Sequence, residues 1–239
     1  MPALKRVAHD GVELLAAGLL AAADIDMLEL DVLSERPDGS GRLLLAHDYD
    51  EVRRRPSLTL DEGLDLLTEQ GLDGLELDID LKLPGYEARV VDELRARNLV
   101  DRTLVSSMDR EGLARLRAVE PGLRLGWSVP RVRRDWTSSR LTLLPALGAL
   151  QAMKRALPAR AARALRRREI DAVMAYWRLV SPRLVDAVRD AGGELYAWTV
   201  DDAVQMRRLE ALGVSAIITN EPGLFAAAGA QPSTQRRAL

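Results

Sequence analysis

Residues 75–82 read "LELDIDLK", and in this stretch an apolar residue alternates with a charged one. Successive side chains point to opposite faces of a β-strand, so the pattern predicts a strand with one apolar face and one charged face. In a closed parallel barrel, the apolar face packs on surrounding helices and the other face lines the interior. The apolar set is Leu75, Leu77, Ile79 and Leu81, and the charged set is Glu76, Asp78, Asp80 and Lys82. The stretch therefore favours a barrel with a charged interior.

Seven further apolar runs of strand length repeat along the 239 residues, and helical patterns lie between most of them. The eight strand candidates are "ALKRVAH", "MLELDVL", "GLELDIDL", "RTLVSS", "LRLGWSV", "IDAVMAY", "ELYAWTV" and "SAIIT". Strands that alternate with helices form a parallel sheet, and eight of them in one domain of this size predict a single (β/α)8 TIM barrel. We expect the barrel to occupy residues 1–225 and residues 226–239 to form a disordered tail.

Two segments interrupt this rhythm. An extended or loop insertion follows the second strand, over residues 34–58, and a basic helical insertion follows the fifth, over residues 130–169. The second segment has Asp135 and Glu169 as its only acidic residues, and its leucines and alanines recur at helical spacing. One interpretation is an arginine-rich solvated face. The other is a lid, or a surface that contacts anionic lipid or phosphate.

Composition excludes several classes of function. A formal net charge of -2 argues against nucleic acid as the main partner, and the absence of cysteine excludes disulfides, thiolate metal sites and a cysteine nucleophile. No stretch resembles a signal peptide, and the longest apolar run is too short to span a bilayer. We therefore expect a cytoplasmic protein, with the 130–169 segment as the part that would touch an anionic membrane. The sequence leaves the oligomeric state open.

Carboxylates on the second and third strands are the first candidate site residues. Glu29 and Asp31 share one face of the second strand, and Asp80 lies on the charged face of the third. Interior carboxylates without a partner are costly, and an all-oxygen cluster suits a hard divalent cation such as Mg²⁺ or Ca²⁺. Glu76 and Asp78 are open to a second interpretation, in which arginines pair with them.

The only two histidines both follow apolar strand-like runs. His9 closes the first strand, and His47 closes the run after the second. Both would therefore lie at the carboxyl-terminal face, where TIM barrels hold their active sites. Two imidazoles beside a metal can divide the roles of general acid and general base near neutral pH. The sequence does not assign the roles.

The order of these motifs resembles the glycerophosphodiester phosphodiesterase family. The chain reads "AH-x-G", "ELDV", "HD", "D-x-K", "AWTV" and "IITNEP", against a family pattern of H-R-G, E-x-D-V, H-D, E-x-K, W-T-V and T-D-x-P. The resemblance implies a TIM barrel that hydrolyses glycerophosphodiesters to glycerol 3-phosphate and an alcohol with Mg²⁺ or Ca²⁺. It further implies the site roles: acid–base catalysis by His9 and His47, metal binding by Glu29, Asp31 and Asp80, phosphate binding by Lys82 and pocket lining by Trp198.

The chain also departs from the family pattern. Asp10 replaces the arginine of H-R-G, Asp80 replaces the glutamate of E-x-K, Asn220 replaces the aspartate of T-D-x-P, and the P-E-N-T segment is missing. The shortened first loop would admit a bulkier diester such as a lysophospholipid. The lost arginine also favours an alternative, a non-catalytic or repurposed barrel that binds a phosphorylated ligand.

Overall fold

Eight parallel strands close into a barrel. The computed structural model describes residues 3–20, 23–72, 74–130 and 140–229. Its strands are β1 (Lys5–Ala8), β2 (Met27–Ser34), β3 (Leu43–Leu45), β4 (Glu76–Leu81), β5 (Thr103–Ser107), β6 (Arg124–Val129), β7 (Ala172–Tyr176), β8 (Glu194–Trp198) and β9 (Ala216–Thr219). Strand β1 pairs with both β2 and β9, which closes the ring, and β3 adds to β2 in antiparallel orientation outside it. The predicted TIM-barrel fold is confirmed.

Helices follow most of the barrel strands. They are α1 (Val12–Ala16), α2 (Tyr49–Arg54), α3 (Leu60–Glu69), α4 (Glu87–Ala96), α5 (Arg110–Val119), α6 (Arg140–Arg166), α7 (Pro182–Arg189), α8 (Ala203–Leu212) and α9 (Leu224–Gly229). Local sequence fixes several of their ends. Thr59 and Glu62 form a reciprocal capping box at the start of α3, and Gly213, at a φ of 88°, ends α8 in the left-handed conformation that glycine adopts without strain.

The segment predicted to be a basic helical insertion contains the barrel's own helix between β6 and β7. Its carboxyl-terminal half is buried through Leu157, Ala161 and Leu165, which belong to the core shared by strands and helices. Arg155, Arg160, Arg163 and Arg166 are exposed on the same helix. Residues 131–139 of this segment lie outside the described residues.

The predicted tail begins later than expected. Helix α9 takes in residues 226–229, which the sequence had assigned to the tail, because Phe225 packs into the core and an alanine-rich run with high helix propensity follows it. Residues 230–239 lie outside the described part of the chain.

The interior of the barrel is layered. At the amino-terminal end of the strands, Glu76 accepts from Lys5 at 2.9 Å and from Arg124 at 2.7 Å, and Arg124 also donates to Glu194 at 2.6 Å. Above this charged layer lies an apolar layer that includes Val7, Met27, Leu104, Met174 and Ile218. The carboxylates of β2 and β4 come next, towards the carboxyl-terminal mouth. Glu76 is therefore part of an ion-pair network at the opposite end from the candidate site.

Candidate active site

The register of β2 and β4 brings the predicted metal ligands together. Asp31 is aligned with Asp80 and Glu29 with Asp78, so alternate residues of both strands face the interior side by side. One carboxylate oxygen from each of Glu29, Asp31 and Asp80 lies within 4.8 Å of the other two, and all three residues are buried. The structure therefore gathers the three residues that the sequence had singled out as ligands.

Lys82 extends over this cluster. Its ammonium nitrogen lies 2.7 Å from Asp31 Oδ1 and 2.6 Å from Asp80 Oδ2. Burial alone would lower the pKa of Lys82, but Asp80, Asp31 and Glu29 outweigh it and raise the pKa above its ordinary value. The lysine is therefore a fixed positive charge against two of the three carboxylates.

One cation does not balance the buried acids. Both Asp31 oxygens and both Asp78 oxygens are buried and lack a hydrogen-bond partner of acceptable geometry in the described part of the chain. Burial, and then the charge of Asp31, raise the pKa of Glu29 well above its usual range, and burial with the charge of Asp80 does the same for Asp78. A cluster of buried oxygens with unused lone pairs and excess negative charge fits a hard divalent cation.

The two histidines reach the same cavity from different elements. His9 follows β1; its Nε2 lies 3.5 Å from Glu29 Oε2, and its Nδ1 lies 2.8 Å from Asn220 Oδ1. His47 comes two residues after β3, and its backbone N–H donates to Glu51 Oε2 at 2.9 Å. Its imidazole is more than half exposed, with Nδ1 3.5 Å from an oxygen of the neighbouring Asp48. His9 is thus held tightly, and His47 stands at the open side.

The cavity itself has a volume of about 150 Å³. Acidic and basic residues of the cluster line one side, and the opposite side is formed by Met108, Ser128, Met174, Trp198 and Thr199. Trp198 Nε1 donates to the backbone oxygen of Met174 at 2.8 Å, and the Tyr176 ring lies 5.9 Å from the Trp198 ring. The indole is therefore fixed as part of the pocket wall.

Asp10, which stands where the family pattern has arginine, lies next to the carboxylate cluster. Its backbone adopts a φ of 44°, and its N–H points to Glu29 Oε2 at 3.3 Å. Burial, followed by the nearby charges of Asp31 and Glu51, raises the pKa of Asp10 to about 6. The exchange of arginine for aspartate thus adds negative charge beside a site that is already acidic.

Sequence reasoning missed several residues of this site. Ser106 on β5 donates to Asp80 Oδ1 at 3.1 Å, and Asp201, after β8, accepts a hydrogen bond from the side-chain amide of Asn220. Strand parity was the available signal for Ser106, since it shares the inward face of its strand with Leu104. Asp201 sits at a carboxyl-terminal strand end within "WTVDD", but nothing local in the sequence reveals its partner.

Comparisons with known proteins identify similar sequences and structures. The model of the glycerophosphoryl diester phosphodiesterase family matches residues 88–224. Among curated relatives, the Arabidopsis thaliana glycerophosphodiester phosphodiesterase GDPD4 is 44% identical over 61 residues, 26% of this chain and 19% of its own. The Caldanaerobacter subterraneus glycerophosphodiester phosphodiesterase is 25% identical over 139 residues, 58% of this chain and 47% of its own. The matches thus span less than half of either relative.

Solved structures share the fold over nearly the whole chain. A glycerophosphoryl diester phosphodiesterase from Agrobacterium tumefaciens matches with a TM-score of 0.70 at 17% identity, covering 94% of this chain and 96% of that one. An Oleispira antarctica phosphodiesterase, solved in complex with the product sn-glycerol-3-phosphate, matches with a TM-score of 0.65 at 18% identity, over 94% and 96% of the two chains. Since the family model covers more than half of the sequence, the chain belongs to the glycerophosphoryl diester phosphodiesterase family.

Proposed function

We propose that this protein is a metal-dependent phosphodiester hydrolase that releases glycerol 3-phosphate and an alcohol from glycerophosphodiesters. One observation carries the proposal: in a buried three-carboxylate cluster with oxygens within 4.8 Å of one another, two members, Glu29 and Asp80, line the same cavity as both histidines of the chain. Family membership and the glycerol 3-phosphate complex of the Oleispira antarctica phosphodiesterase support the substrate class.

Glu29, Asp31 and Asp80 would hold the cation, and their all-oxygen donor set favours Mg²⁺ or Ca²⁺. The bound cation would supply positive charge that neutralises the phosphodiester and stabilises the charge of the transition state. Lys82 would add a second positive charge on the phosphate, and Trp198 would support the substrate as pocket wall.

His9 and His47 would carry the protons. One imidazole removes a proton from the attacking group, which is either water or a neighbouring hydroxyl of the substrate. In the second case the alcohol leaves with formation of a cyclic phosphodiester, which water then opens to glycerol 3-phosphate. The other donates a proton to the departing alkoxide, which is a poor leaving group without it. Both side chains line the cavity, so both are within reach of a substrate bound there.

Hydrolysis of glycerophosphocholine by wild type, His9→Ala and His47→Ala, each with and without EDTA, tests this proposal. We expect EDTA and each substitution to lower turnover by about 10²-fold or more, as loss of an acid–base catalyst does. Glu76→Gln is the matched control, because Glu76 lies in the ion-pair network at the other end of the barrel. Turnover that persists in EDTA or in both histidine variants contradicts the mechanism.

A lysophospholipid is the finer substrate proposal. A second cavity of about 360 Å³, between the start of α5 and helix α6, shares Met108 with the first and is lined by Trp127, Val129 and Leu157. Two arginines, Arg110 and Arg160, lie over the Trp127 ring at 5.0 and 5.8 Å. The apolar wall suits a substrate with an acyl chain, and the cavity edge carries two acidic residues, Asp109 and Glu111, beside the two arginines. Release of choline or ethanolamine from lysolipids is the measurement.

Peripheral contact with an anionic membrane belongs to the same proposal. Exposed arginines follow one another along α6 and the turn after it, at positions 155, 160, 163, 166, 167 and 168. Such a run is attracted to acidic headgroups. The described residues include no helix that is both long and apolar enough to cross a membrane.

Asp10 favours a second candidate function. It adds negative charge where the family pattern has arginine, and loss of a charged contact to phosphate weakens binding by about 1–3 kcal/mol. A repurposed barrel that binds a phosphorylated ligand without turnover would follow from this change. Wild-type protein that binds glycerol 3-phosphate but hydrolyses neither glycerophosphocholine nor a lysolipid would support this candidate over the first.

A further inference from the structure

A chain of side-chain contacts runs from Asp201 through Asn220 to His9. The amide nitrogen of Asn220 donates to Asp201 Oδ2 at 2.7 Å, and the amide oxygen of Asn220 lies 2.8 Å from His9 Nδ1. Asp201 is itself fixed, because its Oδ1 accepts from the backbone N–H of Asn220 and from Thr219 Oγ1, each at 2.9 Å. The three side chains thus form one directed line at the mouth of the barrel.

This line determines which nitrogen of His9 carries the proton. An ionised carboxylate only accepts hydrogen bonds, so the nitrogen end of the Asn220 amide must face Asp201. The oxygen end then faces His9, and an amide oxygen can only accept. A hydrogen bond between this oxygen and His9 therefore requires the proton on Nδ1.

We propose that Asp201 and Asn220 are positioning residues that hold His9 as the Nδ1–H tautomer, with Nε2 unprotonated and turned towards the metal cluster. His9 would then be the proton acceptor at the start of the reaction, which leaves proton donation to the more exposed His47. The assignment of catalytic roles rests on the proposed function, whereas the tautomer rests on the contacts alone.

A competing contact sharpens the inference. His9 Nε2 lies 3.5 Å from Glu29 Oε2, and a proton on Nε2 would be attracted to that carboxylate. The contact with Asn220 is shorter by 0.7 Å, at 2.8 Å, and therefore favours Nδ1–H. The line also accounts for a departure from the family pattern, since an amide at position 220 has a carboxylate, Asp201, directly behind it.

The tautomer can be read from the ring nitrogen shifts of ¹⁵N-histidine-labelled protein at about pH 8.5, where an ordinary imidazole is neutral. Only two histidines contribute, and His47→Gln assigns them. We expect the His9 signals of an Nδ1–H ring, both in EDTA and with Mg²⁺. Wild-type protein with the proton on Nε2 overturns the inference.

Two substitutions reverse and restore the predicted state. In Asp201→Asn, the new amide nitrogen donates to Asn220 Oδ1, so that the Asn220 nitrogen turns to His9 and the proton moves to Nε2. Combining Asp201→Asn with Asn220→Asp recreates a carboxylate acceptor for His9 with an amide behind it, which restores Nδ1–H. A purely structural role for Asp201 would lower the melting temperature and leave the tautomer unchanged, and that result would also overturn the inference.

Kinetics give the second measurement. We expect Asp201→Asn to lower kcat about 10- to 100-fold, as the loss of a partner that orients a functional histidine does, with KM little changed and recovery in the double variant. The control is Asp202→Asn, which keeps the cap that Asp202 gives the Gln205 N–H of α8. If the tautomers follow the expected order but wild type has no hydrolase activity, the positioning role stands and the proposed function fails. If wild type is an active hydrolase but the tautomers do not change in the expected order, the positioning role fails and the proposed function stands.

Discussion

Removal of the Lys82 charge tests the electrostatic description of the site most directly. Lys82→Met keeps a long side chain of similar shape but removes the ammonium, which lies 2.7 Å from Asp31 and 2.6 Å from Asp80. Asp31 is fully buried, and without Lys82 neither of its oxygens has a cation nearby in the described region. The metal-free variant must therefore either bury uncompensated negative charge or protonate a carboxyl group.

The size of the effect follows from this burial. Breaking a buried ion pair by removing one partner costs about 3–5 kcal/mol, and one kcal/mol shifts the melting temperature by about 2–4 °C in a protein of this length. We expect the variant to melt about 6–20 °C below wild type in EDTA. A divalent ion at 100 times its Kd stabilises the folded state by about 2.7 kcal/mol. The ion-induced rise should be larger in Lys82→Met, because the cation replaces the missing charge and no ammonium repels it.

Thermal unfolding by circular dichroism, in EDTA and in a Mg²⁺ or Ca²⁺ titration, measures both effects. Lys5→Met is the matched control: Lys5 is about as buried as Lys82, but its partner Glu76 keeps Arg124 at 2.7 Å. We expect the control to lose about 1 kcal/mol or less, with the same metal response as wild type. A Lys82→Met protein that melts within about 2 °C of wild type in EDTA would refute the reasoning, given the sensitivity above.

Three further predictions concern the metal cluster, Asp10 and the exposed arginines of α6. Asp31→Asn should abolish the metal-induced rise in melting temperature, because it removes one of three ligand carboxylates; an unchanged calorimetric titration with Ca²⁺ would contradict this. Asp10→Asn should stabilise metal-free protein by about 1–2 kcal/mol above pH 6, allowing for partial exposure, because the raised pKa of Asp10 makes its ionised form unfavourable. That gain should shrink as pH falls from about 6 towards 3.8, because wild-type Asp10 is protonated first in the folded state and then in the unfolded state too; a pH-independent gain would argue against this cause. Replacing Arg160 and Arg163 by serine should weaken binding to phosphatidylserine vesicles about 30-fold, from about 1 kcal/mol for each charge. The control replaces two exposed arginines of α8, Arg207 and Arg208, by serine. An equal loss of vesicle binding in both variants would contradict a specific role for the α6 surface.

The fold was predictable because its signals are local and repeated. Strand alternation such as "LELDIDLK" fixes which residues face the helices and which face the interior, and eight such runs separated by helices leave few topologies. The same parity placed Glu29, Asp31 and Asp80 inside the barrel, and position at strand ends placed the histidines at its mouth. These inferences needed only the period of the strand and the direction of a parallel sheet.

Other features depend on pairings that a single sequence does not contain. Glu76 and Asp80 lie on the same face of one strand, but they have different partners. Glu76 pairs with Lys5 and Arg124, whereas Asp80 pairs with Lys82. Only the register of the barrel strands determines these pairings. The line from Asp201 to His9 joins residues about two hundred positions apart. The charge of the long basic segment predicts an insertion, and only the structure shows that Leu157 and Leu165 of its helix α6 are buried in the core.

The apolar layer inside the barrel keeps the hydrogen-bond networks of the two ends apart. Val7, Met27, Leu104, Met174 and Ile218 separate the ion-pair network around Arg124 from the carboxylates around Lys82. These five side chains carry no group that could relay a proton, so each set of charged residues finds its hydrogen-bond partners on its own side of the layer. The mouth can therefore exchange charged residues, as it has at Asp10 and Asn220, while the network that ties the strands together at the base stays intact.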